Sequence, residues 1–171
     1  MTELTELTEL RGRLRVEASG ERWLLSGSID ETSQLSELLG RAKGGRLVLD
    51  LASVQFINSL GVRDWIRMQA EATQRRLAID LHRVSEPIIH QFNMIIATRG
   101  TCHVASFYAP YACDGCGREE SLLIDAEVNA PSLAQLVPPG QTCPECAAQM
   151  AFNDFPERYF SFLVPDPPRP G

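Results

Sequence analysis

The sequence predicts an α/β fold, a mixed sheet with helices, followed by a small C-terminal metal-binding unit. Three observations lead there. Short apolar runs alternate with amphipathic stretches across residues 12–108, the rhythm of strands exchanging with helices. Gly-Gly and Ser-Glu-Pro punctuation falls between them. Two C-x-x-C pairs, Cys113-Asp-Gly-Cys116 and Cys143-Pro-Glu-Cys146, then dominate the last third.

Residues 1–11 open with the repeat TELTELTEL and read as a flexible leader. Leu14, Val16 and Ala18 alternate with polar residues, and Trp23 and Leu25 follow the turn Ser19-Gly20-Glu21, so a strand, turn and strand are expected. A helix capped by Asp30 or Thr32 should bury Leu35, Leu38 and Leu39, and Gly44-Gly45 ends it. RLVLDLASV is nearly all apolar, as in a central strand covered on both faces. From Ser59, Val62, Trp65, Ile66, Gln69 and Ala72 form one helical stripe. LAIDLHRV is the next strand. Ser85-Glu86-Pro87 starts a helix running to about Ile96, with serine as cap and proline in the first turn. Arg99-Gly100 stops it, and HVASFYAPY returns extended.

The second unit is expected over residues 109–163, with Ser121–Asp125 as a strand, a turn of helix in Ala130–Val137, and Met150–Phe152 as another strand. The segment from Asp154 to Leu163 is aromatic and begins as a short helix. Phe155, Tyr159, Phe160, Phe162 and Leu163 are either a cover for the molecule or an exposed contact patch. VPDPPRPG, residues 164–171, reads as a free tail.

Each C-x-x-C pair puts two thiolates on a tight turn, and two pairs close a tetrahedral Cys₄ shell. Twenty-six residues separate Cys116 from Cys143, room for a hairpin and its return. Structural zinc held by Cys113, Cys116, Cys143 and Cys146 is the expected cofactor. Disulfides, a redox pair or an iron centre are the alternatives. Four thiolates leave no open position for catalysis. Cys102, at the head of an apolar run, reads as a small buried residue.

The chain has 171 residues and a formal net charge of −6, with a single lysine, Lys43. That balance opposes a phosphate-backbone ligand, which needs clustered Lys and Arg. No apolar run has the length of a membrane span, and MTELTELTELRGR has no secretory apolar core. A cytoplasmic protein is expected.

Three segments carry a family resemblance. They are Leu25-Ser-Gly-Ser-Ile-Asp30, Leu47-Val-Leu-Asp-Leu-Ala-Ser-Val54 and Phe56-Ile-Asn-Ser-Leu-Gly-Val62. In order and spacing they resemble the STAS domain of anti-sigma factor antagonists and related bacterial regulators, across residues 12–107. The second unit looks like a zinc ribbon attached where many STAS domains carry a final helix. The resemblance implies a STAS-like domain over residues 12–108 and a partner that is a serine kinase/anti-sigma-type regulator or other STAS proteins. It also implies a D-S-S/T-G loop whose second hydroxyl is phosphorylated.

Here that loop is Asn58-Ser59-Leu60-Gly61, with leucine at the acceptor position and asparagine for the aspartate. The usual switch is therefore expected to be lost. Three roles stay open for Ser59: helix cap, acceptor by a one-residue shift, or part of a constitutive contact with Asn58, Leu60 and Gly61. Asp50 is expected to bond a loop backbone, and Asp30 to cap. His82, His90 and His103 lie far apart, with no nucleophile beside them. No phosphate-binding glycine loop or nucleophile elbow is present. Nothing argues for an enzyme.

The expected function is a non-enzymatic protein–protein interaction module in bacterial signalling, with homo-oligomers allowed. The rivals are a nucleic-acid-associated regulator acting through its ribbon, and a docking subunit of a transporter or enzyme complex. The ribbon's acids, Asp114, Glu119, Glu120, Asp125, Glu127 and Glu145 against Arg118, disfavour the nucleic-acid reading.

Overall fold

A computed structural model of the chain describes residues 8–164. Residues 1–7 of the expected leader and 165–171 of the expected tail lie outside the described residues. The first sheet has six strands in sequence order: β1 (Thr8–Arg11), β2 (Leu14–Ser19), β3 (Arg22–Ile29), β4 (Arg46–Ile57), β5 (Ala78–His82) and β6 (His103–Val104). β1, β2 and β3 pair antiparallel, and β3 through β6 pair parallel. A 3₁₀ helix (Leu35–Arg41), α1 (Ser59–Gln74) and α2 (Glu86–Met94) make the crossovers. This is the mixed α/β sheet that the alternating sequence pattern predicts.

The core lies against one face of that sheet. Leu47, Leu49, Leu51, Ile79 and Leu81 are buried there with Val62, Trp65, Met68, Ile88, Ile89 and Phe92 of the helices. Of the alternate positions, Arg46, Val48, Ala78 and His82 are exposed or half-buried, while Asp50 and Asp80 are buried but ion-paired to Arg83 and Arg46. β4 therefore has an apolar cover on one face and a polar, ion-paired one on the other. The apolar run read as two covered faces because buried Asp50 and half-buried Val48 on the second face are met by charged groups, not by a second apolar layer.

Four further expectations change. Thr8–Arg11 belongs to the sheet, because Glu9 and Arg11 are held by ion pairs to Arg41 and Glu37 of the 3₁₀ helix. That helix is 3₁₀ rather than α, starting from Gln34 at φ 49°. Asp30 does not cap it: its Oδ1 accepts from Thr32 N–H at 2.9 Å and from the Thr32 hydroxyl. The first free N–H, that of Leu35, instead donates to buried Asp64 of α1 at 2.8 Å. Ser85 is at the N-cap of α2 but its side chain makes no capping bond, while proline does sit in the first turn.

The second sheet is antiparallel in the order β8 (Glu119–Asp125), β7 (Ser106–Cys113), β10 (Gln149–Phe152) and β9 (Gln141–Thr142). Short helices α3 (Ala130–Leu133) and α4 (Pro156–Tyr159) follow β8 and β10. HVASFYAPY is thus two strands in two sheets, and the second sheet begins at Ser106, ahead of residue 109. The switch is made at Ala105, whose N–H donates to Leu81 C=O at 2.9 Å. Val84 then bridges onward, donating to Ser106 C=O at 3.0 Å and accepting from Tyr108 N–H at 2.9 Å.

The aromatic segment is a cover. Tyr159, Phe160 and Phe162 are buried, and Phe107 meets Phe162 edge-on at 5.1 Å while Phe92 lies 6.2 Å from it. Tyr159 OH donates to Tyr108 C=O at 2.7 Å, and Asn93 of α2 donates to Tyr159 C=O at 2.8 Å. These contacts join both sheets into one apolar core. Phe155 is the exception at 70% exposure, with Arg158 over its ring.

Candidate functional site

Two knuckles of the second sheet bring the four cysteines together. In the first, Cys113 ends β7, its N–H donates to Arg118 C=O at 2.8 Å, and its C=O accepts from Gly117 N–H at 2.9 Å. In the second, Cys143 N–H donates to Ala148 C=O at 2.8 Å and its C=O accepts from Ala147 N–H at 2.9 Å. The two turns are copies. Both place the residue after the second cysteine at positive φ, 72° for Gly117 and 60° for Ala147. Arg118 ties them, its guanidinium reaching Glu145 at 2.9 Å and Glu120 at 2.9 Å.

The sulfurs of Cys113, Cys116, Cys143 and Cys146 all lie within 4.8 Å of one another, and the closest cross-knuckle pairs are 3.5 and 3.7 Å apart. Four sulfurs each about 2.3 Å from a central ion form a tetrahedron with edges of about 3.8 Å. The cysteines are free rather than bonded in pairs, and each cross-knuckle pair joins one buried cysteine to one exposed. The four residues are positioned to hold a metal ion.

Their titration shows why an ion suits them. The Cys116 N–H pulls the Cys113 thiol down to about 7. The Arg118 N–H favours ionisation of Cys116, but desolvation and the other three sulfurs outweigh it and push that thiol up to about 12. Four thiolates crowded at one point repel, and a divalent cation removes that repulsion.

Around the first sheet's loop, Asn58 rather than Ser59 caps α1. Its Oδ1 accepts from Gly61 N–H at 2.7 Å, and its Nδ2 donates to Glu31 at 3.1 Å. Gly61 packs on β3: a Cβ there would lie 2.4 Å from Ile29 C=O. Ser59 is exposed, Leu60 is 39% exposed, and Phe56 just before the loop is 57% exposed. The structure therefore brings Asn58, Ser59, Leu60 and Gly61 onto one rigid corner and adds Phe56, which the sequence reading counted only as the loop's leading residue. The sequence held no signal for it: alternation from buried Val54 would turn Phe56 inward, and it faces out only because the pairing with β3 slips between Gly27–Val54 and Ser28–Phe56.

The remaining candidates have structural partners. Asp50 receives Arg83 Nε at 2.7 Å and Ala52 N–H at 3.2 Å, so it holds a bulge of its own strand rather than a loop. Half-buried Cys102 touches Gln69 Oε1 at 3.2 Å, and burial pushes its thiol up to about 12. His82 is held below its ordinary range, first by burial and then by Arg22. His90 is exposed, edge-on to Tyr159.

No helix among the described residues is long and apolar enough to cross a membrane. Comparison with protein-family models, with curated proteins and with solved structures finds no match.

Proposed function

We propose that this chain is a non-enzymatic protein–protein interaction module in bacterial signalling, antagonist-like or scaffolding, whose C-terminal unit is stabilised by a structural zinc ion. One observation carries the reading. Phe56 and Leu60 are exposed on either side of Ser59, on a corner made rigid by the Asn58 cap and the Gly61 contact. Apolar side chains held outward on a preordered loop suit a partner pocket, since little freedom is lost on docking. A groove of about 580 Å³ begins at Val54 and Gln55, just ahead of Phe56 in β4, and reaches Pro87, His90 and Tyr108. Resemblance of the three segments to the STAS domain supports a kinase-type or STAS partner.

With leucine at the acceptor position, binding is constitutive in this reading. Zinc is favoured among metals because four thiolates in a tetrahedron are its structural ligand set. The ion would hold the two knuckles together and take no part in chemistry.

Native mass spectrometry of the chain purified gently from its own cells tests the whole reading. One zinc per chain, no phosphate and a co-purifying kinase-type or STAS partner are expected. Phosphate on Ser59 would reinstate a switch. Bound nucleic acid in place of a protein would overturn the proposal.

A further inference from the structure

The edges of the two sheets are not treated alike. β1 has four residues, β6 and β9 have two each, and β4 beyond β5 is broken by irregular pairing. Short or bulged edges of this kind resist pairing with other chains. β8 is different. It pairs with β7 over seven consecutive residues without a register shift, contains no proline, and has no strand on its other side among the described residues.

Which groups face outward follows from the pairing. Cys113 N–H donates to Arg118 C=O, Pro110 (which has no N–H) stands opposite Ser121, and Tyr108 N–H points away to Val84. In an antiparallel pair such bonded positions alternate, so β8 is joined to β7 through its even-numbered residues. Glu119, Ser121 and Leu123 therefore turn N–H and C=O to the open edge. Asp125 closes it, its C=O taken by Asn129 at 2.8 and 3.2 Å. All four side chains share one face and are exposed.

We propose that the β8 edge is a strand-addition site for an extended segment of another protein, apolar at its centre and flanked by basic residues. Charge selects that occupant. Glu119 and Asp125 bracket Ser121 and Leu123; neither is in an ion pair among the described residues, and the Asp125 carboxylate accepts at Oδ1 from Glu127 N–H at 3.0 Å and Val128 N–H at 2.9 Å. A second copy fits poorly, because self-pairing over all seven residues sets Glu119 opposite Asp125 of the other copy at both ends. An incoming strand with Lys or Arg opposite each acid and an apolar residue opposite Leu123 meets every requirement. Main-chain bonds supply the attachment, and the alternate side chains supply the choice of partner. This edge is distinct from the Asn58–Gly61 corner, although Ser121 also lines the groove that runs from Val54 and Gln55 to Tyr108.

The test is selection of a displayed library of random nonapeptides on the full zinc-loaded chain, followed by fluorescence anisotropy of the winners. Enriched peptides should carry Lys or Arg on both sides of an alternating apolar centre. N-methylation of alternate backbone nitrogens in a winner should weaken it on the order of tenfold or more, since each blocked bond contributes a share of the affinity. Leu123→Pro should abolish binding while leaving the β7 pairing intact, and, independently of how that variant folds, Glu119→Arg should turn the preference from basic to acidic at the one peptide position facing residue 119. Failure to enrich, enrichment of acid-flanked peptides, or indifference to N-methylation would each overturn the proposal. So would a concentration-dependent dimer, seen by sedimentation, that Leu123→Pro dissolves.

Discussion

Gly117 and Ala147 occupy equivalent places in the two knuckles, yet only one is glycine. A residue with a Cβ at positive φ carries strain of about 1 kcal/mol that glycine does not. Ala147→Gly should therefore stabilise the chain by about 0.5 kcal/mol, and Gly117→Ala, with open space around its Cβ, should cost about 1 kcal/mol. Urea titration of both variants checks the pair. At the loop, Asn58→Ala should cost about 1 kcal/mol through the lost cap, whereas Ser59→Ala should fall within about 0.5 kcal/mol of zero. Equal losses would mean Ser59 does share the capping. Leu60→Ser should leave Tm nearly unchanged while lowering partner binding, and a large drop in Tm would make Leu60 a packing residue.

At the scale of elements, β1 and the 3₁₀ helix are joined by side chains rather than by the backbone ladder. Hydrogen bonds from Arg41 and then Arg11 hold the Glu9 carboxyl below its ordinary value of 4.5. A depressed carboxyl stabilises the fold above its ordinary value and loses that contribution as pH falls through the folded one. Stability should thus be flat for this group above about pH 4.5 and decline below it, and Glu9→Gln should make the acid limb of a melting profile shallower. An unchanged limb would show the pairs to be solvent-screened. The ribbon is the other element with a separate support. Phe107, Ala109, Tyr111, Ile124 and Met150 are buried under the aromatic cover, but the knuckle ends lie outside that cover, where an ion held by the four cysteines would fix them. Cys116→Ser or Cys143→Ser should expose residues 109–163 to protease, and undiminished resistance would exclude a structural metal.

For the whole molecule, the aromatic seam decides whether there are two folding units or one. Phe92, Phe107, Phe160 and Phe162 touch across α2, β7 and the C-terminal turn, and Asn93 bonds both Tyr159 and Ser161. Removing Asn93 as alanine should cost about 1–2 kcal/mol by stranding two polar groups. Chelation of the metal should lower a single calorimetric transition for the full chain. Two separate transitions, with only one moved by chelator, would show that the seam does not couple the sheets.

Much of this was legible in the sequence. Leu14, Val16 and Leu25 alternate, Val62, Trp65 and Ala72 repeat at helical spacing, and C-x-x-C twice over gives the ligand set, because each of these patterns is local. What a single stretch of chain cannot carry is the identity of the group that satisfies it from elsewhere. The N–H of Leu35 is capped by Asp64, residues 106–113 leave one sheet for another, and Tyr159 seals a core begun at Phe92. The sequence by itself determined β2 to β5, β8 and β10, the main helices and the four cysteines, but not β1, β9 or the break between β6 and β7. Tertiary structure alone decided which sheet owns β7, which side chain caps each helix and which strand edge stays open, since those depend on neighbours brought together only by folding.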